Sequence, residues 1–346
     1  MIQTAPQRLS ATNVEGFLSE LASSRGVLRL DLTNLKTVER STVGLLGNAL
    51  LGSFGTRDLE LRVSDDSADW MAASGLAFAL ANRAGRTSVN GRSPTWLRNS
   101  DWARDWLPGH TEPLEALHRS ETTELFDPSA VGETTLRPDL YGPGFAAFVN
   151  PHLTDPAVQR HPVTTSLWPW LDRLVPHQQV TPTTRDRRKR WIADVGRFID
   201  ETVGNVWEHA RSGDGSPLFS LVQVFATRGG SRSSNRLHLS VQDTGAGIPA
   251  TARPKLAPGL AAAITDDQLL GKLLEGSLAP WGHGRGQGLP KIVEICRRHH
   301  GTLRLATKTT RAILDSRDGD RALRTGAAPF KLDGTVVTLS LPVLSL

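Results

Sequence analysis

Between residues 186 and 211 the apolar side chains Ile192, Val195, Ile199, Val203 and Val206 recur at the three- and four-residue spacing of an α-helix. A helix with one apolar stripe must lay it on another layer of structure, so this segment constrains the fold more than any other. Its opposite side carries Glu201, Asn205 and His209. Spaced by four, a carboxylate, an amide and an imidazole line up on one face and point together into whatever cleft covers the helix. Taken singly, each is equally an ordinary solvated residue on a polar face.

The pattern continues with the strands LFSLVQVFA and RLHLSVQD, an irregular stretch, a helix over 288–299, and the strands TLRLATK and GTVVTLSLP. This is the order of an α/β sandwich. RLHLSVQD ends in Asp243, and Thr244-Gly245-Ala246-Gly247 follows, where two glycines permit a tight turn and the close approach of a ligand. Gly282-His283-Gly284-Arg285-Gly286-Gln287-Gly288-Leu289 opens the next helix, and glycines ahead of a helix N-terminus offer backbone N–H groups to phosphates. Either cluster alone fits a flexible loop. The second does not directly follow a predicted strand, which argues against a dinucleotide-binding fingerprint.

Residues 1–95 alternate helical and strand signals, with VLRLDL (27–32) and LELRVS (59–64) as short apolar strands, and predict a small α/β domain. Residues 96–183 are rich in Pro and Trp and show neither period. Trp96, Trp102, Trp106, Trp168 and Trp170 there are taken as packing area before base-stacking platforms or a ligand cage. No apolar run approaches the ~18 residues of a membrane span, and the N-terminus lacks the layout of a signal peptide. The expectation is a soluble, cytoplasmic protein. The single cysteine, Cys296, excludes an internal disulfide and a cysteine-based metal site, and IVEICRRHH places it in a helix core. The net charge of +5 arises from 40 basic and 35 acidic residues that are interspersed, which argues against nucleic acid as a partner. The one dense basic run, Arg185 to Arg190, is expected to be a solvated helix start.

Four segments in one order, ExxxNxxxHA (201–210), DxGxG (243–247), GxGxGxGL (282–289) and the GTxxxLxLP-like strand (334–342), together resemble the GHKL family. This is the Bergerat fold of gyrase, a heat-shock chaperone, histidine kinases, MutL and anti-sigma-factor kinases. The resemblance covers 184–346 and implies an α/β sandwich, a mixed sheet covered by helices, with ATP between the helices and a flexible lid over about 248–287. It further implies that Asn205 holds Mg²⁺ bridging the phosphates and that Asp243 accepts a hydrogen bond from the adenine amino group. Gly245 and Gly247 then make room for the nucleotide, Gly282, Gly284, Gly286, Gly288 and Leu289 form the phosphate-cradling segment, and Thr335 matches the family Thr near the adenine-binding Asp. Glu201 sits where ATPase and serine-kinase members place a general base. His209 matches the His of the anti-sigma-kinase box, with a capping or helix-face role as open as a catalytic one. Arg285, in the lid, either touches the γ-phosphate or faces solvent.

VLRLDLTNLKTVERSTVGLLGNAL followed by DLELRVSDDSADWMAASGL resembles a diverged anti-sigma-factor-antagonist (STAS) domain, whose strand-Asp-Leu, turn, Ser and helix pattern falls at Asp31, Leu32, Ser41 and Gly44. Glu39-Arg40-Ser41-Thr42 stands where that family has Asp-Ser-Ser-Gly, so Ser41 is expected to be a helix N-cap before a phosphoacceptor. The expected division is a STAS-like domain at 1–95, a connecting region at 96–183 and a GHKL domain at 184–346.

Gyrase, MutL and the chaperone follow the ATPase with a further domain, and this chain ends at Leu346, soon after Pro342. A histidine kinase carries a phosphoacceptor His in a His-Glu/Asp-x-x-x-Pro setting, which His152, His161 and His177 lack. The reading that remains is an ATP-binding regulator, using Mg-ATP for Ser/Thr phosphorylation of, or switching on, a partner protein such as a STAS or sigma-factor-like regulator. The alternative is a sensor or scaffold that binds ATP and hydrolyses nothing. A nucleic-acid-associated protein rests only on the mild basic bias, and a homodimer is left open.

Overall fold

The computed structural model describes residues 2–10, 13–38, 40–50, 57–64, 87–92, 125–126, 144–148, 182–209, 220–227, 236–280, 287–317 and 322–343, together with residues 54, 67, 71 and 282. The five tryptophans and three histidines singled out between 96 and 177 lie outside the described residues.

In the N-terminal part, β1 (Ile2–Thr4), β2 (Arg8–Leu9), α1 (Val14–Ser23), β3 (Leu28–Asp31), β4 (Thr37–Val38), α2 (Arg40–Asn48), β5 (Leu59–Arg62) and β6 (Thr87–Val89) alternate strand and helix. Strands β1, β3, β5 and β6 form a parallel sheet in that order, and β2 pairs with β4 apart from it. The two apolar runs read in the sequence supply its middle strands. Leu28, Leu30, Leu59 and Leu61 are buried, while Arg29 Nε donates to Glu60 Oε2 at 2.7 Å on the exposed face. Helix α1 buries Val14, Phe17, Leu18 and Leu21, an i, i+3, i+4, i+7 stripe. Because α2 begins at Arg40, Ser41 is its second residue and not the N-cap expected of it.

The C-terminal part contains β7 (Leu125–Phe126), β8 (Gly144–Phe148), α3 (Pro182–His209), β9 (Ser220–Thr227), β10 (Arg236–Asp243), α4 (Ile248–Ala252), α5 (Pro258–Ala263), α6 (Asp266–Leu274), α7 (Gly288–Arg298), β11 (Thr302–Thr307), β12 (Thr310–Asp315), β13 (Arg324–Ala327) and β14 (Thr335–Pro342). The strands form one eight-stranded sheet in the order β13-β12-β11-β14-β10-β9-β8-β7. Every neighbouring pair in it is antiparallel, where the resemblance implied a mixed sheet. Two of its strands, β7 and β8, come from the connecting region, which therefore contributes to this sheet.

The stretch 248–287, expected to be irregular and to serve as a lid, holds α4, α5 and α6. Thr265 N–H donates to Gln268 Oε1 at 3.2 Å at the start of α6, the reach-back bond of a capping box. Leu269, Leu270, Leu273 and Leu274 of that helix are buried in the core. Helix α6 is thus part of the core, whereas α5 buries none of its residues, so the stretch expected to be irregular consists of three short helices of which the last is packed.

Strict alternation along β10 and β14 sorts their side chains to two faces. Leu237, Leu239 and Val241 of β10 and Val337, Leu339 and Leu341 of β14 join Trp191, Val195, Phe198, Ile199, Val203 and Val206 of α3 and Ile292, Val293, Ile295 and Cys296 of α7 in one core. The apolar stripe read in the sequence is this face of α3. Asp194 ties α3 to α7, accepting from Arg298 Nη1 at 2.8 and 3.0 Å and lying 2.8 Å from His299 Nε2. Cys296 is buried and its thiol is pushed up to about 12 by that burial. Arg185, Arg187, Lys189 and Arg190 are exposed on the first turns of α3, the solvated start expected of the basic run.

The other face of the same strands carries Ser240, Gln242, Val336, Thr338 and Ser340, and all five are buried as well. What covers it is the N-terminal part: α2 lies across β10 and β14. Phe330, Leu332 and Val336 belong to the N-terminal core, and Glu15 of α1 pairs with Arg311 of β12. Helix α2 comes this close because it has no side chain at two contact points. A Cβ on Gly44 would stand 2.2 Å from Ser240 Oγ and 3.3 Å from Val336 Cγ1, and one on Gly47 would stand 3.1 Å from Gln242 Nε2.

Gly44→Ala is therefore expected to destabilise the protein by about 1–3 kcal/mol. Adding Ser240→Ala, which removes the nearest clashing atom, should recover part of the loss. Urea unfolding of the two single variants and the double variant measures this; equal, additive losses would show that α2 and β10 are not in contact.

Candidate functional site

Helix α3 presents Glu201 and Asn205 on its polar side, both half-buried, with the buried Thr202 turned inward and its hydroxyl donating to Phe198 O at 2.7 Å. His209 is the last residue of α3, and its side chain lies outside the described residues. Glu201 is held by α7. Lys291 Nζ donates to Glu201 Oε1 at 3.2 Å, and Glu201 Oε2 stands 2.7 Å from where a Cβ on Gly288 would be. Gly288 is thus bare because the glutamate side chain occupies its Cβ space. An ion pair exposed to this extent, 28% for Glu201 and 39% for Lys291, contributes only ~0–1 kcal/mol, so it orients the carboxylate without locking it.

Asp243 ends β10 and is buried. Its Oδ1 accepts the Gly245 N–H at 2.8 Å, and it lies opposite Thr335 in the β10–β14 register. Burial raises its carboxyl to about 7, against the smaller opposing pull of the Gly245 N–H, the Lys308 charge and the Thr335 N–H. The surrounding turn has no spare room. Gly247 has φ 82°, a conformation that favours glycine, and a Cβ there would meet Thr307 Oγ1 at 2.8 Å and Lys308 Cγ at 2.9 Å. Thr307 Oγ1 donates to Gly334 O at 3.0 Å, accepts from Ile248 N–H at 3.0 Å and stands 3.2 Å from Thr335 Oγ1. The two threonines and Gly334 therefore fix the turn that leads out of Asp243.

The structure brings together Glu201 with Gly288, and Asp243 with Gly245 and Thr335, and it packs Gly247 beside Thr307. Gly282 is exposed with φ 86° and open space at its Cβ. Gly284, Arg285 and Gly286 lie outside the described residues. Leu289 is part of the apolar core, so its side chain serves packing. Sequence reasoning missed Lys291, Thr307 and Lys308. Thr307 and Lys308 sit at the β11–β12 turn, where Lys308 takes φ 52° although it is not glycine. Lys291 follows Gly288 by three residues and so falls on its face of α7, the one available signal.

Residues 192–345 match the protein-family model described as histidine kinase-, DNA gyrase B-, and HSP90-like ATPase. Residues 192–345 are a GHKL ATPase domain. No curated protein matches the chain. ATP binding follows from the domain, and the residues present fit it: a buried acceptor at Asp243 suits an amino group, and Glu201 and Asn205 share one helix face. Among the described residues no helix is long and apolar enough to cross a membrane, and no three His, Cys, Asp or Glu side chains gather to hold a metal ion.

The raised Asp243 carboxyl has a pH signature. Its folded value of about 7 lies above the ordinary carboxyl value of 3.8, so the fold holds the proton more tightly than the unfolded chain does. The resulting stability is fully present below the unfolded value and is lost as pH rises through about 7. For the ligand-free protein, the unfolding free energy of wild type should therefore fall relative to that of Asp243→Asn from pH 4 to pH 8. Chemical denaturation across that range measures it, and a flat difference would contradict the buried carboxyl. The same variant should lose ATP binding, read by calorimetry.

Proposed function

We propose that the protein is an ATP-driven regulator that uses a GHKL site for Ser/Thr phosphorylation of, or ATP-dependent switching on, a partner protein. The observation that carries the reading is Asp243: a buried carboxyl at the end of β10, placed where the resemblance puts the adenine acceptor, in a tight turn whose conformation Gly247 permits. Gly245 and Gly247 border the base, Gly282 to Gly288 cradle phosphate, and Asn205 supplies an amide oxygen to Mg²⁺. When bound, Mg²⁺ offsets the negative charge of the phosphates.

Glu201 is the proposed general base. It takes the proton of a partner's Ser or Thr hydroxyl, or of water, as that oxygen bonds to the γ-phosphorus and the bond to the ADP oxygen breaks. Lys291 bears on this step. Its ammonium engages Glu201 Oε1, and transfer of that ammonium to a phosphate oxygen would release the carboxylate oxygen toward the hydroxyl or water.

The division into 1–95, 96–183 and 184–346, with the first segment a STAS-like domain, belongs to the same proposal. The parallel sheet β1-β3-β5-β6 with its flanking helices is compatible with it. A partner of STAS or sigma-factor-regulator type follows from that likeness. The Glu201–Lys291 pair also favours the second reading, an ATP sensor that transfers nothing, because one carboxylate oxygen of Glu201 is already engaged by the Lys291 ammonium.

Incubation of the full chain with Mg²⁺ and γ-labelled ATP separates these readings, with Glu201→Ala as control. Acid-stable label on protein that depends on Glu201 is expected of a Ser/Thr kinase, and Glu201-dependent free phosphate of a regulatory ATPase. Binding without either product, with the partner present, would establish the sensor. Glu201→Ala is expected to lower the turnover rate by a factor of about 10²–10⁴.

A further inference from the structure

We propose that Asn48, in the N-terminal part of the chain, is a positioning residue for the nucleotide site: its amide holds the main-chain carbonyl of Asp243 and so sets the adenine acceptor in place. The inference rests on the reading of Asp243 as that acceptor.

Asn48 is the last residue of α2 and is fully buried. Its Nδ2 donates to the Asp243 carbonyl oxygen at 2.5 Å, across 195 positions of sequence. Only the amide nitrogen can donate, so the carbonyl fixes which way the Asn48 amide faces. On another side the same carbonyl meets Gly334, where a Cβ would lie 2.0 Å from the Asp243 oxygen. The peptide plane between Asp243 and Thr244 is therefore gripped between Asn48 and Gly334. The carboxyl on the same Cα, bonded to the Gly245 N–H two residues on, is aimed by that plane.

Asn48 is also a costly residue for packing alone. Its Oδ1 is buried with no partner among the described residues, as are both polar atoms of Gln242. A leucine would fill similar volume without an unpaired oxygen. What asparagine alone adds here is a donor for the Asp243 carbonyl, and Gly44 and Gly47 let α2 approach closely enough to deliver it.

The test compares Mg-ATP with Mg-purine riboside triphosphate, which lacks the 6-amino group and so cannot bond Asp243 through it. Affinities are measured by calorimetry on the full chain for wild type, Asn48→Ala, Asn48→Leu and Glu15→Gln. Wild type should prefer ATP. The Asn48 variants should lose roughly five- to tenfold of ATP affinity while keeping their affinity for the analogue. Glu15→Gln removes an ion pair of the same contact region without touching Asp243 and should keep the wild-type preference. An undiminished preference in a folded Asn48 variant overturns the inference. No preference in wild type would instead remove the adenine-acceptor reading beneath it. Amide exchange on the wild type needs no variant: ATP, more than the analogue, should slow exchange in α2, since coupling between two sites is reciprocal. Exchange in α2 indifferent to ATP overturns the proposal whether or not the variants fold.

Discussion

The antiparallel pairing of β10 with β14 runs for eight residues and leaves neither face of the pair to solvent. One face is aliphatic and is covered by α3 and α7. The other mixes Val336 with hydroxyl and amide side chains and is covered by α2. Packing of the first kind supplies the apolar burial a fold of this size needs. Packing of the second kind depends on shape, because small polar residues contribute little area and every buried polar atom calls for a partner. Ser240 and Thr338, with their hydroxyl oxygens 3.4 Å apart, partner each other, whereas the Gln242 amide has no partner among the described residues. The two halves of the chain are thus joined through the sheet that carries the site, and Asp243 lies at the end of the joined pair.

Much of the C-terminal half was legible because its strands and helices obey their periods. Strand β10 was read at its observed bounds, and β14 within one residue, since alternation there is unbroken and each ends at a clear stop. Strands β12 and β13 were not anticipated. In TRAILD the outward positions are Arg311, Ile313 and Asp315, which mix charge with an aliphatic residue, and RTGA has scarcely any apolar content. The β11–β12 turn adds no glycine or asparagine to mark it, with Lys308 itself taking the positive φ. The helices of 248–274 escaped notice because each is short and α5 consists of Pro, Gly, Leu and Ala.

The site was legible to the extent that it is local. Glu201 and Asn205 come from one helix, and Asp243, Gly245 and Gly247 from one turn, so spacing alone groups them. Lys291, Thr307 and Lys308 reach the same places from other elements. Nothing in a one-dimensional pattern says that Gly288 is bare because Glu201 fills its Cβ space, or that Thr307 braces Gly334. The contact of Asn48 with Asp243 is the extreme case: it crosses from one apparent domain to the other, and the division of the chain at 95 and 183 points attention away from it.

Cys296, buried between the helical layer and the sheet, has a practical consequence. A thiol raised to about 12 holds almost no thiolate at neutral pH, and thiolate is the form that reacts with maleimides and disulfide reagents. The native protein therefore offers a silent background for thiol chemistry. A cysteine introduced on an exposed position of α1 or α5 would take up a fluorophore or spin label alone, so the two halves can be given paired reporters without first removing the natural residue from the core it helps to fill.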